Sequence, residues 1–215
     1  MVKAVLFDFD FTLADSAGAI VECLGYALKQ SNLKVPTRKL MLSTIGMTLP
    51  DTFKLLAPGA DFQELVKLFK ERADQIMVDR TQLYKTVANI IKLIKGHGVS
   101  LGIISTKYRY RIEEVLEREK LLPYFDIIIG GEDVINHKPD PEGLNLAIRQ
   151  LQCANDSVIY VGDSIIDAMT AHAAKVRFVG VTTGTTRKKD FQSFYPIAVI
   201  NNLAKLAKLI EQTVA

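Results

Sequence analysis

The chain has 215 residues, and its 27 basic and 24 acidic side chains give a formal net charge of +3. Apolar residues make up 48% of the sequence, which excludes a mainly disordered chain, and because no apolar run approaches ~18 residues we predict no membrane partner. The basic residues are scattered among acidic ones, so we predict no nucleic-acid partner. The chain has only two cysteines and lacks a signal-peptide core, and both features favour a cytoplasmic location.

Short apolar runs rich in valine and isoleucine recur along the chain and predict strands. None alternates with polar residues, which is typical of a parallel sheet covered by helices on both faces. From about residue 85 onward, stripes of apolar residues at helical spacing lie between the runs. This order predicts an α/β fold with a doubly wound, mostly parallel, Rossmann-like sheet. The predicted strands are 4–7, 101–104, 127–129, 158–161, 178–181 and a weaker 198–200.

The connection after the first strand is abnormally long. It exceeds by about 60 residues what a strand–helix–strand unit needs. Its apolar spacing predicts helices over 16–30, 38–46, 51–57 and 61–79. We therefore predict a core domain of residues 1–14 and 81–215 and an inserted α-helical cap of residues 15–80. The insert would lie at the carboxyl end of the sheet, where it could act as a lid over a ligand.

Two carboxylates, Asp8 and Asp10, directly follow the first predicted strand. Burying them would be costly unless they are paired or bind a metal ion. Asp8 could be a nucleophile that accepts a phosphoryl group, and Asp10 could protonate the leaving oxygen and later deprotonate water. Thr12 would then orient the loop through a hydrogen bond. The alternative is that Asp10 or Asp15 caps the following helix.

A second strand end repeats this pattern. Gly162 and Asp163 follow the strand over 158–161, and Asp167 lies one helical turn further on. Oxygen donors from two strand ends suit Mg²⁺, whereas these segments contain no histidine or cysteine that would favour zinc. Alternatively, Asp163 or Ser164 caps the next helix.

Candidate partners for a phosphate follow two other predicted elements. One of the hydroxyls of Ser105 and Thr106, at a strand end, could hold a phosphoryl oxygen, or cap the helix predicted over 109–119. Lys138 lies in a turn stiffened by two prolines, where it could neutralise the nucleophile and the transferring phosphoryl group. The alternative for Lys138 is a solvated loop lysine.

Taken together, these motifs resemble the haloacid dehalogenase superfamily of hydrolases over nearly the whole chain. The helical insert resembles that family's C1-type cap. Segments 101–107, 138–142 and 179–184 most resemble the phosphoglycolate phosphatase-like and pyrophosphatase-like branch. The motifs occur in the family's order: Asp8-x-Asp10-x-Thr12, Ser105, Lys138 in Lys-Pro-x-Pro, and Gly162-Asp163-x-x-x-Asp167.

The resemblance implies a phosphatase that hydrolyses a small phosphorylated metabolite through an aspartyl-phosphate on Asp8. Asp10 would be the acid and base, and its presence favours phosphate chemistry because true dehalogenases lack this residue. Ser105 and Lys138 would bind phosphate, with help from the neighbouring Thr106. The implied cofactor is Mg²⁺, held by Asp8, the carbonyl of Asp10, Asp163, and Asp167 directly or through water.

Three positions depart from the family pattern. Phe11 replaces the usual glycine after Asp10, and we expect its bulk at the mouth of the site to alter leaving-group access or cap contact. Lys175 also replaces a glycine, and Lys85-Thr86 replaces a Pro-Gly pair. We expect none of these changes to abolish activity.

Substrate specificity should depend on the cap and on residues after Ser105. Thr44 and Gly46 lie in a segment that resembles the family's cap specificity loop, although Gly46 could equally end a helix. Lys107 and Arg109 could meet a second anionic group, such as a carboxylate or another phosphate. The alternative for both is a solvated helix start.

Other functions remain open at this stage. The enzymatic alternatives are an inorganic pyrophosphatase of the same family and a phosphomutase of the beta-phosphoglucomutase kind. A receiver-like switch also uses an acidic pocket, a hydroxyl and a lysine, but it is smaller and has no cap. A catalytically inactive scaffold fits least well, because every catalytic residue type is present. We predict a monomer or a weak homodimer.

Overall fold

The computed structural model describes the backbone of residues 1–214 and the side chains of residues 1–210. Six parallel strands form the main sheet, which confirms the predicted α/β fold. The strands of the described chain are β1 (Ala4–Phe7), β2 (Ala14–Asp15), β3 (Gln82–Leu83), β4 (Ser100–Ile104), β5 (Ile127–Ile129), β6 (Val158–Gly162), β7 (Arg177–Val181) and β8 (Ala198–Ile200).

Helices cover both faces of this sheet and fill the long connection after β1. None of those in the described part of the chain combines the length and apolar character that crossing a membrane requires. They are α1 (Ala17–Gln30), α2 (Arg38–Leu42), α3 (Leu49–Leu56), α4 (Phe62–Arg80), α5 (Val87–Gly96), α6 (Arg109–Arg118), α7 (Glu142–Gln150), α8 (Ile165–Ala173) and α9 (Ala204–Val214).

Strand β1 shows why the strands have uninterrupted apolar sequences. Val5 and Phe7 pack into a cluster with α5, α6 and α9, whereas Ala4 and Leu6 pack into a cluster with α7 and α8. Since side chains of a strand alternate between faces, both faces of β1 are buried. The central strands therefore contain no polar alternation.

The order of the main sheet is β5-β4-β1-β6-β7-β8. The chain proceeds from β1 outward to β4 and β5 on one side, and through β6, β7 and β8 on the other. The strand order therefore reverses beside β1, and in such folds a crevice for ligands opens there at the carboxyl ends of the strands. The residues that follow β1, β4 and β6 meet at this crevice.

A third apolar cluster joins α1 to α4 and is separate from the two clusters of the sheet. A short antiparallel ribbon, β2 with β3, connects this helical segment to the sheet through the pairs Ala14–Leu83 and Asp15–Gln82. Sequence reasoning missed the ribbon because two-residue strands carry no periodicity. The predicted domain boundaries fall at the ribbon and stay a prediction; Ala215 lies outside the described residues.

The helix predicted over 38–46 is shorter than expected, because α2 ends at Leu42. The hydroxyls of Ser43 and Thr44 donate back to the carbonyls of Leu40 and Met41, at 2.8 Å each, and compete with continued helical bonding. Gly46 then adopts a φ of +97°, a left-handed conformation that no helix continues through. Gly46 therefore belongs to a turn beyond the helix end.

Candidate active site

Four side chains from different elements converge at the carboxyl end of the sheet. Asp8 follows β1, Ser105 follows β4, and Asp163 follows β6, and all three are buried. Lys138 reaches the same point from the loop before α7. The structure therefore brings together residues that lie up to 155 positions apart in the chain, at the place the strand order predicts.

Lys138 is buried rather than solvated, with a side chain that is 5% exposed. Its Nζ lies 2.9 Å from Asp8 Oδ1 and 2.6 Å from Asp167 Oδ1. It also donates to the hydroxyl of Tyr160 at 3.3 Å. Burial lowers the pKa of Lys138, but the Asp167 and Asp8 carboxylates outweigh burial and raise that pKa well above its usual value. Lys138 is therefore a positively charged bridge between two acidic side chains.

The acidic side chains of Asp8, Asp163 and Asp167 form a cluster whose nearest oxygens lie within 4.8 Å of one another. Burial raises the pKa of Asp8 to about 7, with Lys138 opposing and Asp167 adding to the shift. Burial, together with Asp167 and Asp8, raises the pKa of Asp163 well above its usual value. Three buried carboxylates thus share one lysine, and a divalent cation would relieve their repulsion. Their oxygen donors fit Mg²⁺.

Both oxygens of Asp167 already have hydrogen-bond donors. Oδ1 accepts from Lys138 and lies 3.0 Å from the Tyr160 hydroxyl, whereas Oδ2 accepts from the amide and hydroxyl of Ser164 at 3.1 Å and 2.6 Å. Ser164 in turn caps α8 by accepting from the Asp167 amide. The capping alternative is therefore correct for Ser164. Because both oxygens of Asp167 are occupied by these hydrogen bonds, a contact between Asp167 and a cation through water is favoured over direct binding.

Two glycines leave room for the carboxylates. A side chain at Gly162 would overlap the Asp167 carboxylate, and a side chain at Gly184 would overlap the Asp163 carboxylate. The role of Gly184 could not be found from spacing, because it lies 21 positions from Asp163. Thr12 donates to Asp163 Oδ1 at 3.4 Å, so its loop is tied to the same carboxylate.

Asp10 lies at the edge of this cluster and does not cap α1. Its Oδ1 accepts from the Ser16 hydroxyl at 2.5 Å, and both of its oxygens accept from Lys107 Nζ, at 3.0 Å and 3.2 Å. The Asp15 side chain instead accepts from the Ala17 amide at the start of α1. Lys107 is buried and forms an ion pair with Asp10. The alternative interpretation of Lys107 as part of a solvated helix start is therefore wrong.

Neither Ser105 nor Thr106 caps α6. The first amide of that helix, at Arg109, donates to the Glu132 carboxylate at 2.9 Å and 3.1 Å. Ser105 Oγ accepts from the Lys107 amide at 3.3 Å, so its proton is available for a ligand oxygen. Thr106 Oγ1 donates to the Gly46 carbonyl at 3.5 Å, which joins the sheet to the turn after α2.

A cavity of about 290 Å³ opens between this cluster and the helices that follow β1. The predicted specificity residues Thr44, Gly46 and Lys107 line it, but Arg109 does not. Arg109 is exposed and pairs with Asp133 at 3.3 Å, so it stays outside the cavity. Sequence reasoning missed Lys70, on α4, and other lining residues. The spacing of residues along a helix does not indicate which side of the helix faces a part of the chain that is distant in sequence.

Phe11 and Lys175, at two of the positions where the family has glycine, both adopt left-handed backbone, with φ of +60° and +55°. This conformation explains the glycines of the family pattern. Phe11 is buried, and its carbonyl accepts from the Thr183 hydroxyl. It is not among the residues lining the cavity. The expected effect of Phe11 on leaving-group access or cap contact stays a prediction.

Comparisons with known proteins agree with this geometry. A family model described as haloacid dehalogenase-like hydrolase matches residues 5–181. Pyrophosphatase PpaX of Bacillus pumilus is 27% identical and covers 97% of this chain and 96% of its own length. Phosphoglycolate phosphatase of Salmonella typhi is 28% identical over 85% of this chain and 82% of its own. A crystal structure described as a haloacid dehalogenase-like hydrolase from Bacteroides fragilis is 41% identical, with a TM-score of 0.93 over 96% of this chain and 100% of its own.

Proposed function

The chain belongs to the haloacid dehalogenase-like hydrolase family, and on that premise we propose that it is a Mg²⁺-dependent phosphatase for a small phosphorylated metabolite. One observation carries the proposal: the carboxylate of Asp8 is buried beside Lys138, Asp163 and Asp167, two residues before Asp10, which lines a cavity. A nucleophile, a cation, an acid and a space for a leaving group therefore meet at one point.

The first step would form a bond between Asp8 and the phosphorus of the substrate. An Asp8 oxygen attacks, the bond from phosphorus to the ester oxygen breaks, and the leaving oxygen takes a proton from Asp10. Lys138, 2.9 Å from Asp8, and the hydroxyl of Ser105 would bind oxygens of the transferring group. Positioning and charge neutralisation, rather than further covalent chemistry, would supply most of the rate.

The second step would return the site to its starting state. Asp10 takes a proton from water, the water oxygen attacks phosphorus, and the bond to Asp8 breaks to release phosphate. Ser16 and Lys107 support this role, because their bonds to Asp10 hold its carboxylate at the edge of the cavity. The same carboxylate therefore faces both the leaving group and the water that replaces it.

The residues present fit Mg²⁺. Asp8, the Asp10 carbonyl and Asp163 would hold the ion, with Asp167 contributing through water. When bound, the ion would neutralise charge on the phosphoryl oxygens and fix their orientation. Thr12 and Gly184 would keep the Asp163 carboxylate in place by a hydrogen bond and by close backbone approach.

Among substrates, we favour a phosphoglycolate-like monoester over pyrophosphate. Both names occur among the relatives, so the preference rests on the cavity. Leu24, Phe69 and Met77 are among its lining residues, and the hydrocarbon of an organic leaving group can pack against them, whereas inorganic phosphate has no apolar surface to bury there. A phosphomutase of the beta-phosphoglucomutase kind remains a further candidate, because it would use the same cluster.

We also propose that the protein acts as a monomer or weak homodimer in the cytoplasm, on a small metabolite rather than on nucleic acid or at a membrane. Cys23 and Cys153 are both free, which fits a reducing compartment.

The test is release of inorganic phosphate with and without Mg²⁺ from 2-phosphoglycolate, pyrophosphate, β-glucose 1-phosphate and 4-nitrophenyl phosphate. Asp8→Asn should abolish release, whereas Asp156→Asn, at an exposed aspartate far along the chain, should not. Wild-type turnover by Asp8→Asn would overturn the proposal. Isomerised sugar phosphate without net phosphate release would favour the phosphomutase.

A further inference from the structure

We infer that the preferred substrate carries a second anionic group at the far end of an apolar leaving group, and that Lys70 binds this group. The inference rests on the proposed function, because it takes the cavity beside Asp10 as the space for the leaving group. It concerns the chemistry of that leaving group, in which a carboxylate or a phosphate is joined to the ester oxygen through carbon, as the carboxylate is in phosphoglycolate.

The positive charges lining the cavity are not equivalent. Lys70, Lys107 and Arg111 all line it. Lys107 forms an ion pair with Asp10 at 3.0 Å, and Arg111 forms one with Asp74 at 2.5 Å. Among the residues whose side chains are described, no carboxylate forms an ion pair with Lys70. Lys70 acts on Asp74 through its charge, which helps to lower the pKa of Asp74, but among the described side chains it has no carboxylate in direct contact and can therefore meet a ligand anion.

Contacts with the sheet domain fix the place of Lys70. Its Nζ lies 4.8 Å from the centre of the Tyr108 ring, and its carbonyl accepts from Arg111 Nη2 at 3.3 Å. Tyr108 directly follows Lys107, the partner of Asp10. Lys70 is thus held on α4 opposite the segment that leads to the acid, rather than extended into solvent.

The wall between these charges is apolar. Hydrocarbon placed against it gains roughly 25 cal/mol for each Å² removed from water, whereas a phosphate group placed against these apolar side chains would lose hydration. The volume of about 290 Å³ lies near the lower end of the ~300–1,000 Å³ typical of ligand pockets, so the cavity has room for a short carbon chain together with a terminal anionic group. The apolar lining residues of α1 and α4 are Ile20, Leu24, Val66, Phe69 and Met77.

Three esters with the same carbon chain test the inference: butyl phosphate, 4-(phosphonooxy)butanoate and butane-1,4-diyl bisphosphate. We expect kcat/KM of the wild type to be at least tenfold higher for the two anion-ended esters than for butyl phosphate. Comparing the carboxylate with the bisphosphate identifies which anion is preferred. Pyrophosphate should be hydrolysed less efficiently than the better of the two.

Lys70→Met should lower this preference at least tenfold, mainly through KM, because Lys70 lies away from the reacting atoms. Lys70→Arg should restore it, since the charge returns. The matched control is Lys67→Met, on the same helix but outside the cavity lining, where the side chain is 64% exposed. This control should keep the wild-type preference. Circular dichroism should show that all variants are folded.

Two results would overturn the inference while the proposed function stands: a wild type that hydrolyses butyl phosphate as efficiently as the anion-ended esters, or a preference that survives Lys70→Met. If pyrophosphate were the best substrate, the inference that the leaving group is apolar would be overturned. Absence of Mg²⁺-dependent hydrolysis of every ester, including 4-nitrophenyl phosphate, would overturn both proposals.

Discussion

Magnesium should stabilise the folded protein, and this stabilisation should weaken as the pH falls below about 7. The reason is the buried carboxylate cluster, in which burial raises the pKa of Asp8 from 3.8 to about 7. Between these two values the metal-free folded state binds more protons than the unfolded state. Its free energy of unfolding therefore falls as the pH rises through this window. Above pH 7, a bound divalent cation offsets this loss of stability, because it neutralises the ionised carboxylates.

The size of the effect follows from linkage. At pH 8 and a Mg²⁺ concentration of one hundred times Kd, the ion adds about 2.7 kcal/mol to the free energy of unfolding. At pH 6 about nine-tenths of Asp8 is protonated, and displacing this proton alone makes the apparent affinity for the ion about tenfold lower, so the gain is about 1.4 kcal/mol. In a chain of 215 residues, 1 kcal/mol shifts Tm by roughly 2–4 °C. The expected increases in Tm are therefore about 5–11 °C at pH 8 and about 3–6 °C at pH 6.

The assay is thermal denaturation followed by circular dichroism, in EDTA and in the same concentration of MgCl₂ at both pH values. Asp163→Asn removes one buried carboxylate, so this variant should be more stable than the wild type in EDTA at pH 8 and should lose the Mg²⁺ shift. Asp156→Asn should behave as the wild type. Equal shifts at both pH values, or a full shift in Asp163→Asn, would refute the reasoning.

Three further substitutions test the surroundings of the site. Tyr160→Phe removes a hydroxyl that accepts from Lys138 at 3.3 Å, so kcat should fall about tenfold, the equivalent of one hydrogen bond of ~1.4 kcal/mol, with KM nearly unchanged; a larger effect on KM would contradict this positioning role. Gly184→Ala places a methyl group on the Asp163 carboxylate, so the Mg²⁺ shift in Tm should disappear while the far-ultraviolet spectrum is kept; a normal shift would show that the carboxylate can move. Lys175→Gly relieves a φ of +55° and should raise the free energy of unfolding in urea by about 0.5–1 kcal/mol, whereas a loss of stability would assign Lys175 a stabilising contact.

The sequence alone predicted the strands of the main sheet closely. The predicted run over 4–7 coincides with β1, and the run over 127–129 coincides with β5. The reason is that strands buried on both faces need apolar residues at every position, which leaves a local signal. The same logic located Asp8 and Asp163, because charged residues directly after such runs stand out against them.

The sequence also showed that two residues stand where the family has glycine, but it did not show the backbone conformation at these positions. Phe11 and Lys175 could be recognised as unusual by comparison with the family pattern. Only the backbone of the folded chain shows that both have positive φ, the conformation that glycine adopts most readily.

Only the tertiary structure decided which polar residues face one another. Lys107 pairs with Asp10 across 97 positions, Arg109 faces away from the cavity, and Lys70 faces into it. Local patterns report whether a residue is buried and with what period, but not which distant surface covers it. That depends on how the helical segment after β1 packs against the sheet. The sequence therefore determined the chemistry of the cluster, and the packing of the helices on the sheet determined the space in which a leaving group would lie.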